Sequence, residues 1–364
     1  MGDGTPGASS AATRDLTVNA QTQNLLTMNA TSIDKFPPAR LDDRRAVPLP
    51  PALSGERVQF GALSYYVVGN GPPLVLIHSM NASPSAAEVR PLFERHAATR
   101  TVFALDLPGC GFSSRANRRY DPRVMTDALH QFAEQVRERC GDVCIDALAV
   151  SIGCEFLARA ASERPAEWGR LAFVSPTGLD GTKSRRGPPG STRAIPGLHA
   201  LVSARPWAQA LYRTLTRPAV IRYFMQRTWG SQKIDETLWA YDVLNAREPG
   251  ARFAALSFLS GELFSGDIHL VYEAVVQPVW MSHGVRGDFT DFRGRALLRD
   301  RGNWRVSTFQ TGALPYFEVM PEFALAMDAF FGASTKKRAA PAMRPVESFV
   351  SRDAFRERNA VRGR

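Results

Sequence analysis

"IDALAVSIGCEFLARAA", residues 145–161, contains the turn that decides the fold of this chain. The apolar run that ends at Val150 predicts a buried β-strand, and the spacing of apolar residues after Gly153 predicts a helix. Ser151 lies at the junction, with the small residues Ala149 and Gly153 two positions before and after it. Small residues allow a tight, strained turn that lifts the serine Oγ clear of the backbone. The start of the following helix would offer N–H groups to a developing oxyanion.

Further apolar β-like runs follow one another along the chain, with helical patterns between several of them. The runs are "TVFALDLPG", "CIDALAVS", "RLAFVSPTG", "PVWMSHG" and "WRVSTFQTG". "VQFGALSYYVV", residues 58–68, alternates like a two-stranded hairpin. Strands that are apolar throughout and alternate with helices are typical of a parallel sheet covered on both faces. The sequence therefore predicts an α/β fold with a doubly wound, mostly parallel sheet.

The chain divides into three segments that differ in composition and pattern. Residues 1–50 are rich in small and polar residues and predict a disordered arm. Residues 51–332 form the predicted domain, in which residues 181–276 are too long for one crossover and predict a helical cap inserted before the strand "PVWMSHG". Residues 333–364 carry nine basic and three acidic side chains, a net +6, and predict a basic, disordered tail.

The net charge of +10 does not indicate specific nucleic-acid binding, because more than half of it lies in that tail. The tail is expected to make only weak contacts with anionic surfaces. No apolar run is long enough for a transmembrane helix, and the N-terminus does not read as a secretory signal, so a cytoplasmic protein is expected. Cys110, Cys140, Cys144 and Cys154 lack metal or redox spacing and are predicted to be buried free thiols. No cofactor or metal is expected.

Five motifs in order resemble those of the α/β-hydrolase family. "GPPLVLIHSMN" is similar to its third strand and oxyanion loop, "ALDLPGCGFS" to its Asp-x-x-Gly-x-Gly-x-Ser turn, and "ALAVSIG" to its nucleophile elbow. "QPVWMSHGVRGD" resembles the strand and loop that carry its acid, and "TGALPYFEVMPEFALAMDAFF" its last loop and closing helix. The resemblance covers residues 58–332 and implies the α/β-hydrolase fold with a helical cap.

The resemblance also implies roles for individual residues. Ser151 would be the nucleophile, and the backbone N–H groups of Met80 and Ile152 would form the oxyanion hole. Asp288 would be the acid. "HGVRGD" carries one residue more than the usual spacing, so Asp291 is a rival.

Two departures from the family pattern change the expected chemistry. Ser79 stands where the oxyanion loop usually has glycine, and Ala313 stands where the last loop usually has its catalytic histidine. No histidine follows His283 in the chain. In Ser-His-Asp enzymes, loss of the base leaves only about 10³- to 10⁴-fold acceleration over water. His283, which precedes the acid loop, is the tentative replacement base.

The other five histidines are alternatives. His78 also ends a strand at the carboxyl edge of the sheet, where ligands bind in such folds. His199 and His269 belong to the predicted cap, and His96 and His130 lie on scaffold helices.

The cap is rich in aromatic residues, two or three of which are expected to line an apolar pocket. They are Trp207, Tyr212, Tyr223, Phe224, Trp229, Trp239, Tyr241, Phe253, Phe258 and Phe264. The first hypothesis is a serine hydrolase acting on an apolar or acyl-type ester, thioester or similar carbonyl compound, with an atypical or missing histidine. The alternative is a catalytically impaired pseudo-hydrolase that binds a small apolar ligand or a protein partner. Non-hydrolytic chemistry that uses only the oxyanion hole is a third option.

Overall fold

Eight strands form one sheet in the computed structural model, which describes residues 48–180, 186–289, 291–298 and 301–332. The strands are β1 (Glu56–Phe60), β2 (Leu63–Val68), β3 (Pro73–Ile77), β4 (Thr101–Asp106), β5 (Ile145–Val150), β6 (Trp168–Val174), β7 (Val279–Gly284) and β8 (Trp304–Phe309). Their order in the sheet is β1-β2-β4-β3-β5-β6-β7-β8. Only the pairings that involve β2 are antiparallel, so the predicted mostly parallel sheet is confirmed.

Helices cover both faces of the sheet. The described α-helices are α1 (Arg90–His96), α2 (Pro122–Cys140), α3 (Gly153–Glu163), α4 (Leu198–Val202), α5 (Ala208–Leu215), α6 (Pro218–Trp229), α7 (Glu236–Asn245), α8 (Arg252–Leu259), α9 (Ile268–Ala274), α10 (Pro315–Glu318) and α11 (Met320–Gly332). On β3, Val75 and Ile77 belong to the core shared with α2 and α3, whereas Leu74 and Leu76 belong to the core shared with α1 and α11. Each fully buried aliphatic side chain of this kind contributes roughly 1.5–3 kcal/mol.

Local signals in the sequence set the ends of these elements. Helix α2 begins after Asp121, whose side chain accepts a hydrogen bond from the amide of Val124, and Pro122 occupies the first helical position, where no amide hydrogen is needed. It ends at Cys140 and is capped by Gly141, whose φ of 86° suits glycine. The predicted hairpin is confirmed, with Phe60 opposite Leu63 across the turn.

A helical insertion, α4 to α9, separates β6 from β7. It packs on the loop that follows β3: the Tyr212 hydroxyl donates to the carbonyl of Ala82 at 3.0 Å, and the side-chain amide of Asn245 donates to the carbonyl of Pro84 at 3.1 Å. A cap function for this insertion stays a prediction.

The predicted arm and tail lie almost wholly outside the described residues, and the domain boundaries stay predictions. Leu49 and Leu53, near the first described residue, are buried. The four cysteines are free, but the prediction that all are buried is wrong for Cys144, which is exposed, and for Cys140, which is only half-buried. Among the described residues, no helix is long and apolar enough to cross a membrane. The cytoplasmic location stays a prediction.

Candidate active site

Ser151 occupies a strained turn between β5 and α3. Its φ is 52°, in the left-handed region that non-glycine residues rarely adopt. The amide of Ser151 donates to the carbonyl of Val174 on the neighbouring strand at 2.8 Å, which fixes the turn against the sheet. A Cβ on Gly153 would lie 2.7 Å from the carbonyl oxygen of His78, so only glycine fits there. Glycine is therefore required at position 153 because the loop after β3 passes so close to it.

Two backbone amides near Ser151 have no partner in the described part of the chain. They belong to Met80, in the loop after β3, and to Ile152, at the start of α3. Both residues are buried. Buried N–H groups are almost always hydrogen-bonded in folded proteins. The oxyanion-hole role of these two amides stays a prediction.

The loop that carries Met80 is held by a buried carboxyl group. Glu88 accepts hydrogen bonds from both the amide and the hydroxyl of Ser79, at 2.5 and 2.7 Å. Burial raises the pKa of Glu88, and the hydrogen bonds from Ser79 lower it less than burial raises it. The departure from glycine at position 79 thus gives the loop an additional hydrogen bond.

Ala313 lies in the same region, in the loop before α10. Its amide donates to the carbonyl of Thr228 at 3.0 Å, and its carbonyl accepts from the Ser175 hydroxyl at 2.7 Å. Ser175 has a φ of 47°, so two consecutive parallel strands end in strained serines at this edge of the sheet. The Ala313 backbone is therefore held from both the insertion and β6.

Ser151 lines a cavity of about 80 Å³ that also contains two buried carboxyl groups. Its lining residues are Ser79, Met80, Asn81, Glu88, Val150, Ser151, Ser175, Met225, Thr228, Trp229, Leu238, Asp242, Phe289, Ala313 and Leu314. No histidine is among them, although all six histidines lie in the described residues. The titratable groups that face this space are Glu88 and Asp242.

Asp242 reaches this cavity from α7. It lies on the buried face of the helix with Leu238, Tyr241 and Asn245. Burial raises the pKa of the Asp242 carboxyl well above its usual range, and the negative charge of Glu88 raises it further. A carboxyl group with a raised pKa is a stronger base than an ordinary aspartate.

A second, largely apolar cavity of about 130 Å³ adjoins the first. The two share Asn81, Met225, Thr228, Asp242 and Phe289 in their linings. Three of the ten aromatic residues predicted for the insertion line the apolar cavity: Tyr212, Phe224 and Phe258. Asp242 therefore lies where the apolar space meets the space next to Ser151.

A family model described as the alpha/beta hydrolase fold matches residues 72–259, more than half of the chain. The chain belongs to the α/β-hydrolase fold family. The predicted fold class is thereby confirmed. No curated protein matches the chain in sequence.

Solved structures of hydrolases resemble this α/β-hydrolase in fold. The 2-hydroxy-6-oxo-6-phenylhexa-2,4-dienoate hydrolase BphD from Rhodococcus sp. strain RHA1 is 16% identical, with a TM-score of 0.58 over 76% of this chain and 98% of that one. A putative lipase from Acinetobacter baumannii AYE is 17% identical, with a TM-score of 0.57 over 76% and 90% of the two chains. At these identities the likeness shows the fold alone.

His283, the tentative base, ends β7 with both ring nitrogens engaged. Arg295 can only donate and lies 2.8 Å from Nε2, so Nε2 accepts and Nδ1 carries the hydrogen toward the carbonyl of Gly284 at 2.9 Å. The ring stacks on Phe292. Burial lowers the pKa of His283. Its predicted role as a base stays a prediction, and it does not line the cavity of Ser151.

None of the other five histidines, all within the described residues, lines the cavity of Ser151, and two of them have clear structural partners. His78 accepts from the amide of Leu107 through Nε2 at 3.0 Å and donates from Nδ1 to the carbonyl of Ser79. Its complete burial lowers its pKa to about 4. His130 lies 2.9 Å from the carboxylate of Glu163. Each of these contacts stabilises the fold rather than serving the cavity.

Asp288, the predicted acid, pairs with Arg227 of α6 through the guanidinium Nε. Its amide also donates to the carbonyl of Arg227 at 3.2 Å. Asp291, the rival, is exposed and forms an ion pair with Arg293 at 2.8 Å. Asp288 lines the apolar cavity but not the cavity of Ser151. The catalytic role of either aspartate stays a prediction.

Sequence reasoning missed Glu88 and Asp242. A signal was present for Asp242, which occupies a position that the local pattern assigns to the buried face of its helix. Asp242 comes four residues after Leu238 and three before Asn245, which is the spacing of one helical face. A carboxylate at such a position is rarely buried without a functional or structural reason.

Proposed function

We propose that this α/β-hydrolase is a serine hydrolase that cleaves an ester, thioester or similar carbonyl compound with an apolar acyl group. The observation that carries the proposal is the cavity lined by both Ser151 and Asp242, which adjoins an apolar cavity. The left-handed φ of Ser151 supports its role as nucleophile, since such strain concentrates at functional sites. The unpartnered amides of Met80 and Ile152 support an oxyanion hole.

Asp242 is the proton acceptor in this proposal. As Ser151 Oγ bonds to the carbonyl carbon, its proton moves to the Asp242 carboxylate and the carbonyl π electrons move onto the oxygen. The two amides stabilise that oxyanion. When the adduct collapses, the bond to the leaving oxygen or sulfur breaks and Asp242 returns the proton to it. Water then attacks the acyl group by the same route, which releases the acid and restores Ser151.

The predicted roles of Asp288 and His283 are not used in this mechanism. Asp288 is neutralised by Arg227, and the Nε2 of His283 already accepts from Arg295. Asp242 lacks such a cationic partner among the described residues, and its pKa is raised by burial. A raised pKa brings a carboxylate closer to the range in which a general base works near neutral pH.

The acyl group would occupy the apolar cavity. Its walls include Leu215, Ile221, Phe224 and Leu259, and Asp242 and Met225 are among the residues that it shares with the Ser151 cavity. A pocket with apolar walls and few polar groups suits an aliphatic chain or a ring. One neighbour in fold, BphD, is a hydrolase of 2-hydroxy-6-oxo-6-phenylhexa-2,4-dienoate, a small ring-bearing compound, which agrees with this proposal.

A fluorophosphonate probe and a panel of p-nitrophenyl esters test the proposal. Wild-type protein should be labelled at Ser151 and should cleave medium-chain esters, whereas Ser151→Ala should be neither labelled nor active. Leu215→Trp, which fills the apolar cavity, should reduce cleavage of long esters while sparing the acetyl ester. A wild type that resists labelling while a control hydrolase is labelled would contradict the serine mechanism.

A second candidate function is binding of a small apolar ligand without turnover. Ala313 and the lack of a histidine in the Ser151 cavity favour it. In that case an apolar fluorophore would bind wild type, Ser151→Ala and Asp242→Asn with equal affinity, and Leu215→Trp would weaken it. If wild type cleaves esters and both Ser151→Ala and Asp242→Asn have lost that activity, the hydrolase function is supported instead.

A further inference from the structure

A third cavity borders α8. Unlike the apolar cavity, it is lined mainly by polar and charged residues. It measures about 290 Å³, more than either cavity near Ser151. Its walls come from the loop after β4, from α4 and the turn that follows it, and from the first turns of α5 and α8. We call it the arginine cleft.

Four arginines line the arginine cleft: Arg118, Arg119, Arg205 and Arg252. No aspartate or glutamate is among the lining residues, all of which are described. Arg119 pairs with the buried carboxylate of Glu262, which lies outside the lining. Within the described chain, the other three form no ion pair with a carboxylate. The cleft thus concentrates three uncompensated positive charges in one concave space.

The guanidinium of Arg252 is already positioned. It donates to the Gln209 side chain at 2.7 Å, and its central carbon lies 4.4 Å from the Phe253 ring centroid. A pre-positioned guanidinium loses less side-chain freedom on binding an anion, and its planar fork matches the oxygens of a phosphate. The positive charges in the cleft repel one another, and a bound anion with several negative charges would relieve that repulsion. The concave shape would also raise the local concentration of such anions.

We propose that the arginine cleft binds a phosphate- or pyrophosphate-bearing small molecule. Three uncompensated guanidinium groups match a ligand with two or more negative charges better than a monocarboxylate. The cavity volume accommodates more than a single phosphate group. This site is independent of the chemistry proposed for Ser151, because none of its lining residues lines the Ser151 cavity.

Such a phosphate group has two sources. Leu256 of α8 lines both the arginine cleft and the apolar cavity, so the phosphate would belong either to a substrate whose apolar part lies across this residue or to a separate small molecule. The chemistry recognised in the cleft is the same in both cases.

Calorimetric titration of the full chain with pyrophosphate at low ionic strength tests the site. Wild type should bind pyrophosphate more tightly than acetate, and Arg205→Gln and Arg252→Gln should each weaken binding about tenfold. Arg305→Gln, an exposed arginine on β8, is the matched control and should change nothing. Added salt should weaken binding, because the cleft is open to solvent.

Equal affinity in wild type and in the double variant of Arg205 and Arg252 would overturn the proposal, as would no binding to wild type. Ser151→Ala should bind pyrophosphate normally, so failure of the hydrolase mechanism and failure of the anion site give different results. Octyl phosphate and inorganic phosphate separate the two sources. If octyl phosphate binds more tightly than inorganic phosphate, and Leu215→Trp abolishes this difference in affinity, the phosphate belongs to a substrate. If the two bind with equal affinity, the ligand is a separate phosphate compound.

Discussion

Glu88 accepts hydrogen bonds from both the backbone amide and the side-chain hydroxyl of Ser79. The pair ties the loop that carries the Met80 amide to the short helical turn at residues 86–89. Glycine, the usual residue of the family at this position, would keep only the amide contact. The departure at Ser79 is therefore matched by a buried partner, and the loop is restrained rather than loosened.

Removal of the Ser79 hydroxyl should destabilise the protein. Ser79→Ala leaves one oxygen of the buried Glu88 carboxyl without its donor, which costs about 1–2 kcal/mol of unfolding free energy. Ser79→Gly should cost more, because glycine also gains freedom in the unfolded chain. Urea denaturation measures both, with exposed Ser54→Ala as the control. A Ser79→Ala variant as stable as the control would show that the hydroxyl contact contributes nothing.

Replacement of Asp242 should abolish proton transfer without abolishing substrate binding. Asp242→Asn should lower kcat by about 10²- to 10⁴-fold and leave KM almost unchanged, because the amide fills the same space but cannot take a proton. Steady-state kinetics on the ester cleaved by wild type measure this. Asp288→Asn is the comparison. A loss of kcat in Asp288→Asn with full activity in Asp242→Asn would return the acid role to Asp288.

The pH profile should carry the signature of a carboxyl base. Only the ionised form of Asp242 accepts the proton, so kcat/KM should rise with pH through the pKa of Asp242, which burial and the charge of Glu88 place well above its usual range. Glu88→Gln removes that negative charge, favours ionised Asp242, and should move the midpoint to lower pH. An unmoved midpoint would show that a group other than Asp242 is titrating.

Much of the fold follows from the sequence because the relevant signals are local. Apolar runs of strand length and the small-x-Ser-x-Gly turn depend on neighbouring residues only, and Ser151 has the strained φ expected of it. The partners of His283 were not predictable. Its strand-end position follows from the pattern, but Arg295 and Phe292, which engage its ring, come from the next loop.

The acid groups of the cavity depend on contacts between distant parts of the chain. Glu88 precedes α1 and Asp242 lies in the insertion, and no local period brings the two together. Their raised pKa values arise from burial, which exists only after the insertion packs on the sheet. A cavity and its electrostatics are therefore properties of the tertiary structure, whereas the elbow is a property of a short segment.

Restoring the family histidine should not improve catalysis. In Ala313→His the imidazole would enter the small cavity that Ser151 and Asp242 line, but Asp288, the expected acid, remains paired with Arg227. We expect esterase activity at or below the wild-type level, and a lower melting temperature from overpacking. Ala313→Leu is the control, because it adds a side chain of similar size that cannot accept a proton. A large gain in activity for histidine alone would show that Asp288 can still orient a base.

The strained backbone at Ser151 should lower the stability of the protein by a measurable amount. A left-handed φ costs an L-residue about 1–2 kcal/mol but costs glycine little, so Ser151→Gly should be more stable than Ser151→Ala by about 1 kcal/mol. Both variants lose the nucleophile, and only the glycine variant loses the strain. Urea denaturation of the two proteins isolates the backbone term, because neither retains the hydroxyl. Equal stabilities would mean that the turn at Ser151 relaxes in solution, and the geometry proposed for nucleophilic attack would then lack its structural basis.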